Sequence, residues 1–186
     1  MIDAIILAAG QGTRMKSNKA KVLHQLGGKS LLQHVVDAIN PLSASINIVI
    51  GNDAELVKNS INSHSINWVV QKKQLGTGHA VQQIKTGIND KSTCIILYGD
   101  VPLISTNTIK SLIAQSQLTG FSLLSVILDD PSGYGRIVRD KNKLIQAIIE
   151  HKDAGDDKQK INEINTGIMA IKGSLLKKYI NQLEPN

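Results

Sequence analysis

Short apolar runs alternate with amphipathic stretches through most of this chain, and that rhythm limits the folds open to it. Residues 4–8, 46–50, 66–70, 94–98 and 121–128 have the length and the aliphatic, often β-branched content of strands, the first and the fourth of buried ones. Residues 30–39, 54–61, 77–88 and 106–117 instead space their apolar side chains as amphipathic helices do. Ser30 stands where the first of these helices needs an N-cap, and Pro41 follows its end. Strand, helix, strand at this spacing predicts βαβ units. The expected fold class is α/β: a mostly parallel twisted sheet flanked by helices, with right-handed crossovers. In such sheets ligands bind beyond the carboxyl ends of the strands.

The rhythm changes after Asp129. Residues 136–139 and 144–149, joined by Asp140-Lys141-Asn142-Lys143, predict a β-hairpin insertion. The polar residues 152–160 are expected to form an exposed loop, residues 164–171 a returning strand and residues 174–183 a closing helix.

A length of 186 residues is enough for one good-sized core, so a single domain is the default. Only 3% of the chain is aromatic, so that core must be aliphatic. No apolar run approaches the roughly eighteen residues that span a bilayer. The first apolar segment is too short for a signal peptide and runs into glycines. The single cysteine, Cys94, lies in an apolar run; it excludes an intrachain disulfide and reads as a buried small hydrophobe. These features together lead us to expect a cytoplasmic protein without a membrane partner. Lys and Arg number 21 against 15 Asp and Glu, a net charge of +6. That balance suits phosphorylated small molecules or simply a soluble surface. The scatter of the basic residues and the scarcity of aromatics argue against a nucleic-acid platform.

The first strand runs into Leu7-Ala8-Ala9-Gly10-Gln11-Gly12-Thr13-Arg14-Met15. Small residues let backbone N–H groups approach a ligand and cradle phosphate oxygens. The segment is neither a dinucleotide fingerprint nor a Walker A loop, and on spacing alone a plain turn fits as well. Arg14, Lys16, Lys19 and Lys21 put four cations within eight residues, which suits a polyphosphate or a solvated basic loop. Tyr98-Gly99-Asp100-Val101-Pro102 places an acid at the end of a buried strand. Asp100 there suits Mg²⁺, which takes one or two carboxylates plus phosphate and water, or a turn cap. Gln71 follows the third strand, and Thr77 is placed to cap the helix opened by Leu75-Gly76-Thr77-Gly78-His79-Ala80. His79 reads as a packing residue rather than a base, and no Ser/His/Asp set is evident.

The first of these segments, with Lys21 after it, resembles the signature loop of nucleoside-diphosphate-sugar pyrophosphorylases. The later motifs narrow the likeness: Gln71 with Leu75 to Ala80, Tyr98 to Pro102, Gly133-Tyr134-Gly135-Arg136, Glu150-His151-Lys152-Asp153-Ala154 and Glu163-Ile164-Asn165-Thr166-Gly167. In that order they resemble the N-terminal domain of the bifunctional bacterial N-acetylglucosamine-1-phosphate uridyltransferases and glucosamine-1-phosphate acetyltransferases. The resemblance implies a Rossmann-like nucleotide-diphospho-sugar transferase fold. It implies uridylyl transfer from UTP to N-acetylglucosamine 1-phosphate, giving UDP-N-acetylglucosamine and pyrophosphate for peptidoglycan and lipopolysaccharide synthesis. Leu7, Ala8, Ala9, Gly10, Gln71, Gly76 and Thr77 would hold the uridine, with Tyr98 and Gly99 also at the substrate. Arg14 and Lys21 would neutralise phosphate, Asp100 would bind Mg²⁺, and Gly135, Glu150 and Asn165 would hold the N-acetylglucosamine.

Two departures stand out. Ala20 occupies the position before Lys21 where the family usually has proline. The family domain also continues beyond this length, to an Asn that is a second Mg²⁺ ligand and then to a left-handed β-helix acetyltransferase domain. The expectation is therefore a uridylyltransferase domain over residues 1–186, incomplete at its C-terminus. The parent would be a trimer through the β-helix and this piece a monomer. The alternatives are another sugar-phosphate nucleotidyltransferase, a nucleotide-binding module with little turnover, and a basic nucleic-acid binder.

Overall fold

The computed structural model describes residues 1–10, 17, 19–42, 44–51, 53–63, 65–84 and 87–183. Strand β1 (Ile2–Ala8) is buried at all but its first residue, as a strand covered on both faces must be. Parallel to it on one side runs β4 (Ser45–Ile50), with Ala4 opposite Ile46 and Ala8 opposite Ile50. On the other side runs β6 (Thr93–Tyr98), also parallel, with Leu7 opposite Tyr98. Beyond β4 lies β5 (Ile66–Val70), again parallel. The strand order β5-β4-β1-β6 reverses direction at β1, so a topological switch point lies there. Expected strand positions agree with these to within two residues.

The chain folds as two compact units, residues 1–122 with 169–186, and residues 123–168. In the first unit α1 (Leu31–Ile39) begins at Ser30, whose hydroxyl accepts from the Gln33 N–H as expected of an N-cap. Helix α2 (Ala54–Asn59) is short. Helix α4 (Thr106–Thr119) is capped by Ser105 and ends at Gly120, whose φ of 84° closes the helix. Helix α6 (Gly173–Ile180) packs Leu176 and Ile180 into a cluster with Ile5, Val49, Val81 and Ile96, an aliphatic core as composition implied. Cys94 is fully buried in it, and burial pushes its thiol up to about 11.

In the second unit β8 (Arg136–Arg139) and β9 (Ile145–Ile149) pair antiparallel, forming the expected hairpin. Ile164 of β10 (Glu163–Lys172) sits opposite Arg136. Thr166 donates its hydroxyl to the Leu124 carbonyl of β7 (Phe121–Ile127) at 2.6 Å. Arg139 grips both Glu163 carboxylate oxygens at 2.7 Å, and the Ser125 hydroxyl donates to the same carboxylate at 2.5 Å. In the first unit the rest of β10, Met169 to Lys172, runs antiparallel to β6.

Two local expectations need correction, and one element was not anticipated. Helix α3 (Thr77–Gln82) stops short of residue 88, because Gln83 and Ile84 bond back three residues, to Ala80 and Val81, and tighten the turn. The stretch 152–160 is not all loop: a 3₁₀ turn (His151–Asp153) precedes α5 (Asp156–Gln159), where Asp156 and Asp157 favour the positive end of the helix. A small hairpin of β2 (Gln25–Leu26) and β3 (Lys29–Ser30) went unread. Its turn is Gly27-Gly28, both at positive φ, as a two-residue primed turn needs. Among the described residues no helix is long and apolar enough to cross a membrane.

Candidate active site

Four parallel strands end on one edge of the first unit, and the chain's small residues gather there. The Gly99 N–H donates to the Leu7 carbonyl at 2.9 Å and the Gln71 N–H to the Ile50 carbonyl at 2.8 Å, so the ladders continue just past the strands. A cavity of about 370 Å³ opens at this edge, next to the switch point at β1. Leu7, Ala8, Ala9, Gly10, Lys21, Gln71, Gly76, Thr77, Tyr98 and Asp100 all line it. Gly99 lies just behind: a Cβ there would sit 3.0 Å from Leu32 Cδ1 and 3.2 Å from Val22 Cγ1. Arg14 lies outside the described residues, as do Gln11 to Met15 of the glycine segment and Lys16.

A larger depression, about 900 Å³, lies beside α1 and α2. Its polar side chains largely satisfy one another, with Lys29 on Asp37 at 2.6 Å and Gln33 on Asp37 at 2.8 Å. Size therefore does not choose the site; convergence of strand ends does.

Lys21 and Asp100 meet in the cavity, Nζ to Oδ2 at 2.6 Å. Lys21 opens a 3₁₀ turn (Lys21–Leu23) whose Val22 and Leu23 are buried, so the apolar neighbours anchor the cation. Ala20 stands before it at φ −51°, the region to which a proline ring would hold it, and its carbonyl accepts from the Leu23 N–H. Buried Gln71 donates from Nε2 to the Gly76 carbonyl at 3.2 Å and meets His79 Nδ1 at 2.8 Å. His79 thus orients Gln71 from within α3, a supporting place rather than that of a base. Gly76, not Thr77, is the N-cap of α3; its φ of 95° and ψ of 177° suit glycine, and no side chain caps the helix. Thr77 is the first helical residue.

In the second unit Gly135, Glu150 and Asn165 come together. The Asn165 N–H donates to the Gly135 carbonyl at 2.8 Å, and a Cβ on Gly135 would lie 3.2 Å from Glu150 Oε1. Arg136, 1% exposed, donates to the carbonyls of Pro131, at 2.6 Å, and Tyr134, and braces this loop from below. Its Nε is buried with no hydrogen-bond partner among the described residues.

Val22 and Gln74, which sequence reasoning missed, also line the cavity, as does Ala80, which like Arg136 lay within a quoted motif but was given no role. Gln74 lies close to Gln71 in sequence, but its partner is Ala9, so no local signal points to it. Among the described residues no three His, Cys, Asp or Glu side chains gather as a metal cluster.

Residues 4–158 match the family described as the MobA-like NTP transferase domain. The chain belongs to that family. Among its curated relatives is the bifunctional protein GlmU of Vesicomyosocius okutanii subsp. Calyptogena okutanii, 54% identical over 183 residues, 98% of this chain and 40% of the relative. GlmU of Ruthia magnifica subsp. Calyptogena magnifica is 52% identical over 182 residues, again 98% of this chain and 40% of the relative. The chain thus spans about 40% of the length of these relatives. Among solved structures, a putative glucose-1-phosphate thymidylyltransferase from Bacillus anthracis in complex with a sucrose superposes with a TM-score of 0.79 at 21% identity. That match covers 100% of this chain and 76% of that one. HddC from Yersinia pseudotuberculosis complexed with GMP-PN gives a TM-score of 0.73 at 22% identity, over 96% of this chain and 80% of that one. At such identity these two establish the NTP transferase fold and no more.

Proposed function

We propose that this NTP transferase domain joins UTP and N-acetylglucosamine 1-phosphate into UDP-N-acetylglucosamine, releasing pyrophosphate. The observation that carries the proposal is the meeting of Lys21 and Asp100 in one cavity with Ala9 and Gly10, at the carboxyl edge of the sheet. On this reading Leu7 to Gly10, Gln71, Gly76 and Thr77 receive the uridine, with Tyr98 and Gly99 beside it. Lys21, with Arg14, neutralises phosphate. Gly135, Glu150 and Asn165 serve the N-acetylglucosamine. The curated relatives, named as GlmU, support the choice of substrates within the family.

Asp100 fits Mg²⁺ by its donor chemistry: one part-exposed carboxylate at a cavity wall, where substrate phosphate and water would complete the shell. When bound, the ion would offset the charge that gathers on the phosphates in the transition state. A phosphate oxygen of the sugar 1-phosphate attacks the α-phosphorus of UTP in line, and the bond to the bridging oxygen breaks as pyrophosphate leaves. The attacking phosphate is already ionised near neutral pH, so the site needs no general base. Positioning and fixed positive charge do the chemistry. We place this activity in the cytoplasm, supplying peptidoglycan and lipopolysaccharide synthesis.

A panel of nucleoside triphosphates against sugar 1-phosphates, read by pyrophosphate release, tests the proposal. UTP with N-acetylglucosamine 1-phosphate should give the highest turnover, and Asp100→Ala should cut it by roughly 100- to 1,000-fold. Preference for another pair would make the protein a different sugar-phosphate nucleotidyltransferase. Nucleotide binding without pyrophosphate release would make it a binding module.

A further inference from the structure

Three chain segments leaving the sheet meet at Ala9, Gly51 and Gln74, which follow β1, β4 and β5. The Gln74 carboxamide donates from Nε2 to the Ala9 carbonyl at 2.8 Å, across 65 residues of sequence. The direction is unambiguous, because a carbonyl oxygen only accepts and the amide must turn its NH₂ end toward it. Gly51 lies against this bond. A Cβ on Gly51 would come within 2.9 Å of both Ala9 O and Gln74 Nε2, and 3.4 Å from Ala9 Cα. Gly51 is not among the glycines at positive φ, so the position needs space rather than conformational freedom. Gln74 is itself an exposed residue on the cavity lip. It has no share in the apolar core, and its hydrogen bond joins two walls of one cavity: Ala9 and Gly10 on one side, Gln71 and Gly76 on the other.

We infer that Gln74 is a positioning residue that clamps the turn after β1 to the segment after β5, and that Gly51 keeps the space the clamp occupies. This rests on the proposed nucleotide site and deepens it. Gln74 acts through Ala9 and sets the width of the cradle before nucleotide arrives, so that binding does not bear the cost of ordering it.

The test is calorimetry of UTP with Mg²⁺ on the full chain, with thermal melting of each variant alongside. Gln74→Ala should weaken UTP binding by ~3- to 10-fold, the range of one neutral hydrogen bond. Gln74→Glu, nearly isosteric, should weaken it at least as much, since two acceptors would then face each other. The melting midpoints of both should match wild type, and in turnover the loss should appear in KM for UTP rather than kcat. Gly51→Ala should also weaken binding, and combined with Gln74→Ala the loss should be smaller than the product of the two. Wild-type affinity in both Gln74 variants would overturn the clamp and leave nucleotide binding standing. A fall in midpoint and kcat together would reduce Gln74 to a fold-stabilising residue and overturn it too. Independent, multiplying losses would remove Gly51 from the device. A wild-type chain that gives no heat with UTP would overturn the nucleotide assignment and the clamp with it.

Discussion

Lys21→Met should have opposite effects on two ligands of the same site. Lys21 and Asp100 are paired at 2.6 Å, with side chains 42% and 26% exposed. An ion pair so open to solvent is worth ~0.2–1 kcal/mol. A divalent cation approaching Asp100 must displace the ammonium and forfeit that energy. Removing Lys21 should therefore raise the affinity of the nucleotide-free protein for Mn²⁺, a spectroscopic stand-in for Mg²⁺, by about fivefold at most. The same substitution should weaken UTP by roughly 10- to 100-fold, because a charged hydrogen bond to phosphate is worth ~1.5–3 kcal/mol. Methionine keeps the length and apolar stem of lysine, so the turn anchored by Val22 and Leu23 should survive. Mn²⁺ binding followed by electron paramagnetic resonance and UTP binding followed by calorimetry give the two constants. An unchanged Mn²⁺ constant would show that Lys21 does not shield Asp100. An unchanged UTP constant would take Lys21 off the phosphates.

Two further predictions concern stability. Arg139 and Ser125 hold the Glu163 carboxyl down to about 2 from an ordinary 4.5, chiefly through the paired hydrogen bonds from Arg139. The shift sets a ceiling of about 3 kcal/mol, which screening at side chains 37% and 21% exposed reduces to ~1 kcal/mol. That contribution is complete above the ordinary carboxyl range and is lost as pH falls toward about 2, so urea midpoints of wild type and Glu163→Gln should differ at pH 7 and converge in acid. A gap that widens in acid would contradict the pairing. Gly173→Ala should be severe, since its Cβ would lie 2.0 Å from the Asn89 carbonyl oxygen, a backbone atom. We expect a loss of ~2–3 kcal/mol and a Tm lower by roughly 5–10 °C. A wild-type Tm would show that the α6 entry yields freely.

The parts of the fold that could be read in advance are those whose signal is local. Burial on both faces makes a parallel strand a largely apolar run, so β1, β4 and β6 were visible, and the edge strand β5, only part-buried, still showed its β-branched and aromatic residues. Ser30 announced the start of α1 because a cap bonds within its own first turn. Strands β2 and β3, of two residues each, were too short for any periodicity, although Gly27-Gly28 carried the turn signal. Apolar spacing continues past Gln82, but the shift to three-residue hydrogen bonding that ends α3 does not show in residue types.

The candidate site divides the same way. Residue types and order along the chain singled out Gly10, Lys21 and Asp100 as candidates for polyphosphate and metal, beside a plain turn, a basic loop and a turn cap; the role of Gln71 came from the family resemblance. Which of these touch depends on strand order, and strand order is settled by packing between segments far apart in the chain. Placing β1 between β4 and β6 is what brings Lys21 to Asp100, Gln74 to the Ala9 carbonyl and Gly51 against that bond. A hydrogen bond spanning 65 residues leaves no mark in any local window, because its two ends are related only through the sheet that separates them.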